Sequence, residues 1–296
     1  MSRKPRILLL NATCLDVVDA HQDWISGLPI DLIADQSFRT ITQQQHEALL
    51  AEADGVIASS YVPIRPETMR TSNLRIISLA ASGYDSINVK AATEAGIVVT
   101  NAVVEEGAEV VADMTWGLML AVGRQIPQHD RQIRTGNLHR GMGTTPWRKT
   151  LGIVGLGNIG RGVARRAGGF EVNVLATEPH PDRNFVENFG IELVELEELL
   201  ARSDFVSLHV RLNDETRGMI GYRQLIQMKP SAFLINTARR ELVVGDDLVR
   251  ALAENRLAGA GLDDPPADAQ SQLLDRDNVV LTTHLGNRAW VGVHAV

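Results

Sequence analysis

Gly155-Leu156-Gly157-Asn158-Ile159-Gly160 follows the apolar run Leu151–Val154 and opens a helix-like stretch from Ile159 to Ala167. A G-x-G-x-x-G pattern alone says little, but between a strand and a helix it describes a phosphate-binding turn. The first glycine permits the tight turn, the second lets the backbone approach a pyrophosphate, and the third lets helix pack closely on strand. Asn158 and Ile159 begin that helix, where free N–H groups face an anion. Gly155, Gly157, Asn158, Ile159 and Gly160 are therefore candidate dinucleotide contacts. The next strand-like run ends at Glu178. A carboxylate about 20 residues past the glycines suits a ribose hydroxyl, and its charge repels a 2′-phosphate, so NAD is expected over NADP.

Three more chemically capable side chains end apolar runs: Arg239 after Leu234–Asn236, Asp263 after Gly259–Leu262, and His284 after Val279–Thr282. Ligands of open α/β sheets bind outside the carboxyl ends of the strands, so all three are expected on the same edge as the glycine turn. Hydride transfer at a carbonyl carbon needs a proton donor for the oxygen. Histidine suits that task near neutral pH. An adjacent carboxylate would orient the ring and favour its charged form. Arginine clamps a carboxylate through two parallel hydrogen bonds. His209 also follows an apolar run, so position alone does not select His284. No H-E-x-x-H pair points to a metal, and no G-x-S-x-G turn points to a serine nucleophile.

These groups need a scaffold that alternates strands with helices. Short apolar runs predict strands at 7–10, 30–34, 56–59, 76–80 and 97–101, with helices over 42–53 and 87–95 between them. Gly96 stands where a helix C-terminal glycine is expected. Val110, Val111, Met114, Leu118 and Val122 form one apolar face of a long helix over 108–123. Gly136, Gly141, Gly143 and Pro146 then mark a loop over 135–149. The alternation resumes with strands at 151–154, 172–177, 191–194, 205–210, 232–236, 258–262 and 279–282. Helices fit 159–167, 196–202, 222–228 and 247–255. This is an α/β pattern with parallel sheets.

The chain has 296 residues, enough for two domains. Hydrophobic residues make up 44% and charged residues 22%, which excludes a disordered chain. The formal net charge is −7, and the 25 arginines and 4 lysines form no basic block, so a nucleic-acid partner is not expected. Cys14 is the only cysteine, which excludes an internal disulfide and a cysteine-based zinc site. No apolar run approaches the ~18 residues of a membrane helix. The basic start is followed by only Ile7–Leu10, too short for the ~7–15-residue core of a signal peptide. A cytoplasmic protein with no membrane partner is expected.

Taken together, the motifs resemble the D-isomer-specific 2-hydroxyacid dehydrogenases, a family that includes phosphoglycerate, D-lactate, glyoxylate/hydroxypyruvate and formate dehydrogenases. The resemblance is carried by residues 151–160, Ser203-Asp204-Phe205-Val206-Ser207-Leu208-His209, Glu215-Thr216-Arg217-Gly218, Met228-Lys229-Pro230 and Leu234–Arg239. It implies a Rossmann-type NAD domain, residues 102–286, inserted into a flavodoxin-like substrate domain made of residues 1–101 and 287–296. It also implies an active site in the cleft between the lobes, and a homodimer. The substrate would be a small 2-hydroxy acid or its 2-oxo acid. Arg239 matches the family's substrate-binding and catalytic arginine, and His284 its acid/base histidine. Glu178 matches the ribose-binding acid. Thr237, Ala238, Arg239, Asp263, His284 and Gly286 match cofactor-contact positions. Ser82 and Gly83 match the loop whose backbone N–H groups hold the substrate carboxylate.

Several residues depart from the family pattern. By count from Arg239, Asp268 falls where the histidine's glutamate partner is usual, and is one methylene shorter; Asp264 and Asp275 are poorer substitutes. Arg240 replaces a glycine after the catalytic arginine, and offers a second anion contact or crowds the cleft. Val244 replaces an acidic residue. Val103–Gly107 does not match the usual lobe-linking loop, and relatives continue past residue 296 with a helix returning to the substrate lobe. These departures keep two alternatives open: an NAD(H)-sensing protein, as in the similar C-terminal-binding-protein corepressors, or an inactive truncated copy.

Overall fold

The computed structural model describes residues 3–10, 18, 21–34, 43–59, 62, 64–138 and 141–289. Cys14 and the expected return of 290–296 to the substrate domain lie outside them. The chain divides into two compact units, with a break between Gly107 and Ala108 and another between Ala289 and Trp290. The first break falls inside the long helix Glu105–Gly123, a few residues beyond the boundary drawn from sequence.

The first unit contains β1 (Arg6–Leu10), β2 (Asp31–Ala34), β3 (Gly55–Ala58), β4 (Ile76–Leu79) and β5 (Val98–Asn101). They pair in the order β2-β1-β3-β4-β5, all parallel. That is the flavodoxin-like order. Leu8, Leu10, Val56, Ile77 and Leu79 form its core with Leu50, Met69, Ala91 and Ala92 from the helices. Pro66 opens the helix Pro66–Thr71, where its missing N–H costs nothing. The Asn88 side chain accepts from Ala91 N and caps the helix Val89–Glu94. Gly96 ends that helix at φ +73°, as the sequence predicts.

The second unit contains β6 (Thr150–Val154), β7 (Asn173–Thr177), β8 (Glu192–Leu193), β9 (Phe205–Leu208), β10 (Phe233–Asn236), β11 (Gly259–Asp263) and β12 (Val279–Thr282). Their order is β12-β11-β10-β9-β6-β7-β8, again parallel throughout. The first six strands follow the Rossmann order, and β12 extends it. β9 and β10 are buried along their whole length, as expected of strands covered on both faces. Direction reverses at β6, which pairs with both β7 and β9. The crevice that binds ligands in this topology opens there.

The long helix begins three residues before the predicted start, with Glu105 and Glu106 complementing the positive end of its dipole. From Ala112 onward it packs on the second unit's core, and Trp116 donates from Nε1 to Val163 O at 3.1 Å. The predicted helix 222–228 is shorter, Tyr222–Leu225. The helix Ile126–Arg134 lies outside the predicted set; its Ile126 and Ile133 are exposed and only Gln128 is buried on it.

Phe205 sits between β6 and β10 in the register and stacks on Phe233 at 5.3 Å between centroids. Phe205→Ala is expected to lower the unfolding free energy by about 3–5 kcal/mol in a urea titration.

Candidate active site

Each glycine of the turn after β6 has its own reason. Gly155 adopts φ +93°, and a Cβ there would lie 2.8 Å from His209 O. A Cβ on Gly160 would lie 2.1 Å from Gly155 O. Gly157 has nothing within 4 Å of its Cβ position, so the middle of the turn is an open cradle. The helix Asn158–Ala167 starts there, and its first N–H groups have no partner within the helix. Glu178 stands at the rim. Its Oε2 accepts from Leu156 N at 2.9 Å and its Oε1 from His180 N at 3.1 Å. The carboxylate is thus tied to the glycine turn itself. The open cradle, the helix start and this anchored acid fit a dinucleotide.

The turn after β10 is fixed by Asn236. Its Nδ2 donates to Arg239 O at 2.8 Å, and its Oδ1 accepts from Ala238 N at 3.0 Å. The Thr115 hydroxyl donates to Val111 O at 2.9 Å. Its one proton is then used, so the Thr237 hydroxyl donates to Thr115 Oγ1 across 2.8 Å. Thr115 on the long helix is a positioning residue that the sequence reading missed, because a threonine among apolar neighbours reads as core. Arg239 Nη1 donates to Ala238 O at 2.9 Å.

Asp263, expected as a cofactor contact, uses both oxygens within the protein. It is only 2% exposed. Oδ1 accepts from Thr282 Oγ1 at 2.6 Å and Leu285 N at 2.7 Å, and Oδ2 accepts from Gly286 N at 2.7 Å. The turn that carries His284 is therefore built around a buried carboxylate. His284 itself has φ +55°.

The carboxylate beside His284 is Asp264, not Asp268. Asp264 Oδ2 lies 3.5 Å from His284 Nδ1, an ion-pair distance rather than a tight hydrogen bond. Arg240 grips the same carboxylate from the other side, Nε to Oδ2 at 2.9 Å and Nη2 to Oδ1 at 2.7 Å. Burial pushes the Asp264 carboxyl up, but the contact with His284 and the charges of Arg240 and His284 outweigh it and hold it below its usual value. Asp268 is exposed, with Oδ1 against Gly245. Counting residues from Arg239 pointed to Asp268, whereas the contact is made by Asp264, which stands at φ +95° just ahead of Pro265 and Pro266.

The structure separates the two strand-end histidines. Burial pushes the His209 ring down to about 3, and its Nε2 lies 2.8 Å from Ser207 Oγ. His209 is therefore held neutral at pH 7 and has no imidazolium proton to give. Ser82 and Gly83 lie in the first unit, in the loop after β4, where Asn101 Nδ2 donates to Ser82 O at 2.7 Å. Among the described residues no cluster of His, Cys, Asp or Glu suits a metal, and no helix is long and apolar enough to cross a membrane.

Residues 116–286 match the sequence model of the D-isomer specific 2-hydroxyacid dehydrogenase NAD binding domain. A glyoxylate reductase of Korarchaeum cryptofilum is 41% identical over 79% of this chain and 73% of its own length. A D-3-phosphoglycerate dehydrogenase of Methanocaldococcus jannaschii is 37% identical over 83% of this chain but spans only 48% of the relative. Among solved structures, the D-lactate dehydrogenase of Aquifex aeolicus, complexed with NAD and lactic acid, superposes with a TM-score of 0.86 at 25% identity. That match covers 98% of this chain and 91% of the other.

The glycines give a discriminating pair of variants. Gly157→Ala is expected to leave the melting temperature unchanged while weakening NADH binding about tenfold or more, because its methyl enters the cradle. Gly160→Ala is expected to lower the melting temperature, because its methyl meets backbone. Calorimetric melts and NADH fluorescence titration read both.

Proposed function

The chain belongs to the D-isomer-specific 2-hydroxyacid dehydrogenases, and from that premise we propose that it interconverts a small D-2-hydroxy acid and its 2-oxo acid, with NAD as cofactor. The observation that carries this reading is the pair of strand-end histidines. One is held neutral by burial, and the other stands beside an ionised carboxylate at the end of β12.

Gly155–Gly160 and Glu178 would hold the dinucleotide. Bound nicotinamide supplies the hydride in reduction and accepts it in oxidation. Arg239 binds the substrate carboxylate and polarises the carbonyl, as a guanidinium fork suits. His284 gives a proton to the carbonyl oxygen in reduction and takes it back in oxidation. The first unit, which carries Ser82 and Gly83, would serve as the substrate domain. Residues Ile76–Tyr84 contain no Lys or Arg, which favours an unphosphorylated acid. Glyoxylate is the proposed first choice, in keeping with the glyoxylate reductase among the relatives.

Loss of NADH absorbance with glyoxylate, hydroxypyruvate, pyruvate and bulkier branched and aromatic 2-oxo acids tests the reading, with NADPH in parallel. Turnover of the small acids is expected. NADH binding without turnover of any of them would replace the dehydrogenase with a nucleotide sensor. His284→Ala is expected to lower kcat about 100-fold or more. Glu178→Ala is expected to shift the NADH/NADPH preference about tenfold towards NADPH. An unchanged ratio removes Glu178 from cofactor choice.

A further inference from the structure

We propose that Asp264, clamped by Arg240, is the residue that positions the acid/base His284, and that the pair Arg240–Asp264 replaces the partner at position 268. This rests on the dehydrogenase reading above. Arg240 departs from the pattern the sequence resembles, and it and Asp264 follow neighbouring strands, β10 and β11. They meet there in a two-pronged pair, at 2.9 and 2.7 Å. A cation and an anion side by side at an active edge suit one another; either alone would leave a half-buried charge unpaired.

The backbone prevents the pair from being a casual surface contact. Asp264 N donates to Thr282 O at 3.0 Å, which ties its turn to the end of β12. The buried Asp263 next to it grips Thr282, Leu285 and Gly286. Two hydrogen-bonded crossings therefore lace the turn carrying Asp264 to the turn carrying His284. Asp264 and His284 both adopt left-handed backbone, φ +95° and +55°. Non-glycine residues persist there when surroundings over-determine them, and such positions cluster at functional sites. The charged groups on the two strand ends beside His284 are Arg239 and Arg240 after β10, and Asp263 and Asp264 after β11. Of these, Asp264 makes the contact with the ring at 3.5 Å.

The arrangement also assigns Arg240 a role. Its fork closes on Asp264, so it steadies that carboxylate and is not a second anchor for substrate anions. Dicarboxylic or phosphorylated 2-oxo acids gain nothing from it.

NMR titration of the His284 ring in the cofactor-free protein, with steady-state kinetics alongside, tests the proposal. Asp264→Asn is expected to move the ring's titration midpoint down, since an opposite charge is lost. It is also expected to lower kcat about tenfold or more, with KM and NADH affinity held within about twofold. Asp268→Asn is expected to change neither. Arg240→Gln is expected to lower kcat by a smaller factor, and in the Asp264→Asn background to add almost nothing, which is the signature of one coupled unit. An unmoved midpoint and kcat in Asp264→Asn overturn the proposal, as does transfer of both effects to Asp268→Asn. If Asp264→Asn does not fold, Arg240→Gln decides: unchanged kcat overturns the proposal. Absence of wild-type turnover with every 2-oxo acid defeats the dehydrogenase reading instead, and the ring titration still decides whether Asp264 pairs with His284.

Discussion

Parallel pairing governs this protein. When every strand of a sheet runs the same way, each crossover must return the chain to its starting side, and every strand's carboxyl end lies on one edge. In the second unit that edge collects Gly155 after β6, Glu178 after β7, His209 after β9, Arg239 after β10, Asp263 and Asp264 at β11, and His284 after β12. Residues spread over more than a hundred positions become neighbours without any one of them directing the fold. The reversal at β6 then leaves an opening beside the glycine turn.

The long helix Glu105–Gly123 turns this edge into a rigid platform. It approaches three site elements through glycine or threonine. Ala112 lies against Gly162 of the glycine-turn helix, Val111 against Gly286 of the His284 turn, and Thr115 meets Thr237 after β10. A methyl on Gly162 would sit 3.0 Å from the Ala112 Cβ, tighter than most real contacts. Outside, Arg166 pairs with Glu109 and Asp113 and tethers the same helix to its neighbour. Exposed pairs of this kind contribute little each, so the close packing beneath them sets the geometry.

Electrostatics then sorts chemically equal side chains into different tasks. Burial holds His209 neutral, beside Ser207. Asp263 is buried as well, but three donors satisfy it and it becomes a structural knot. Asp264, one residue on, is only half-buried and meets Arg240 and His284. Neighbouring residues of one type thus divide between holding a turn and facing a proton carrier. A buried polar group contributes order where its partners are complete, and reactivity where one face stays open.

The sequence by itself determined the fold class, every strand of both sheets to within a residue or two, the phosphate-binding turn and the strand-end location of Glu178, Arg239 and His284. Those features are local: an apolar run, a glycine spacing and a helix cap are written in contiguous residues and need no distant partner. Only the tertiary structure decided which carboxylate stands beside His284, that Arg240 grips it, that Asp263 is a buried knot, and that burial holds His209 neutral. Each depends on groups from separate strands coming within a few ångströms, and on the exclusion of water around them. Distance in space and burial are properties of the assembled sheet edge, and no spacing along the chain encodes them.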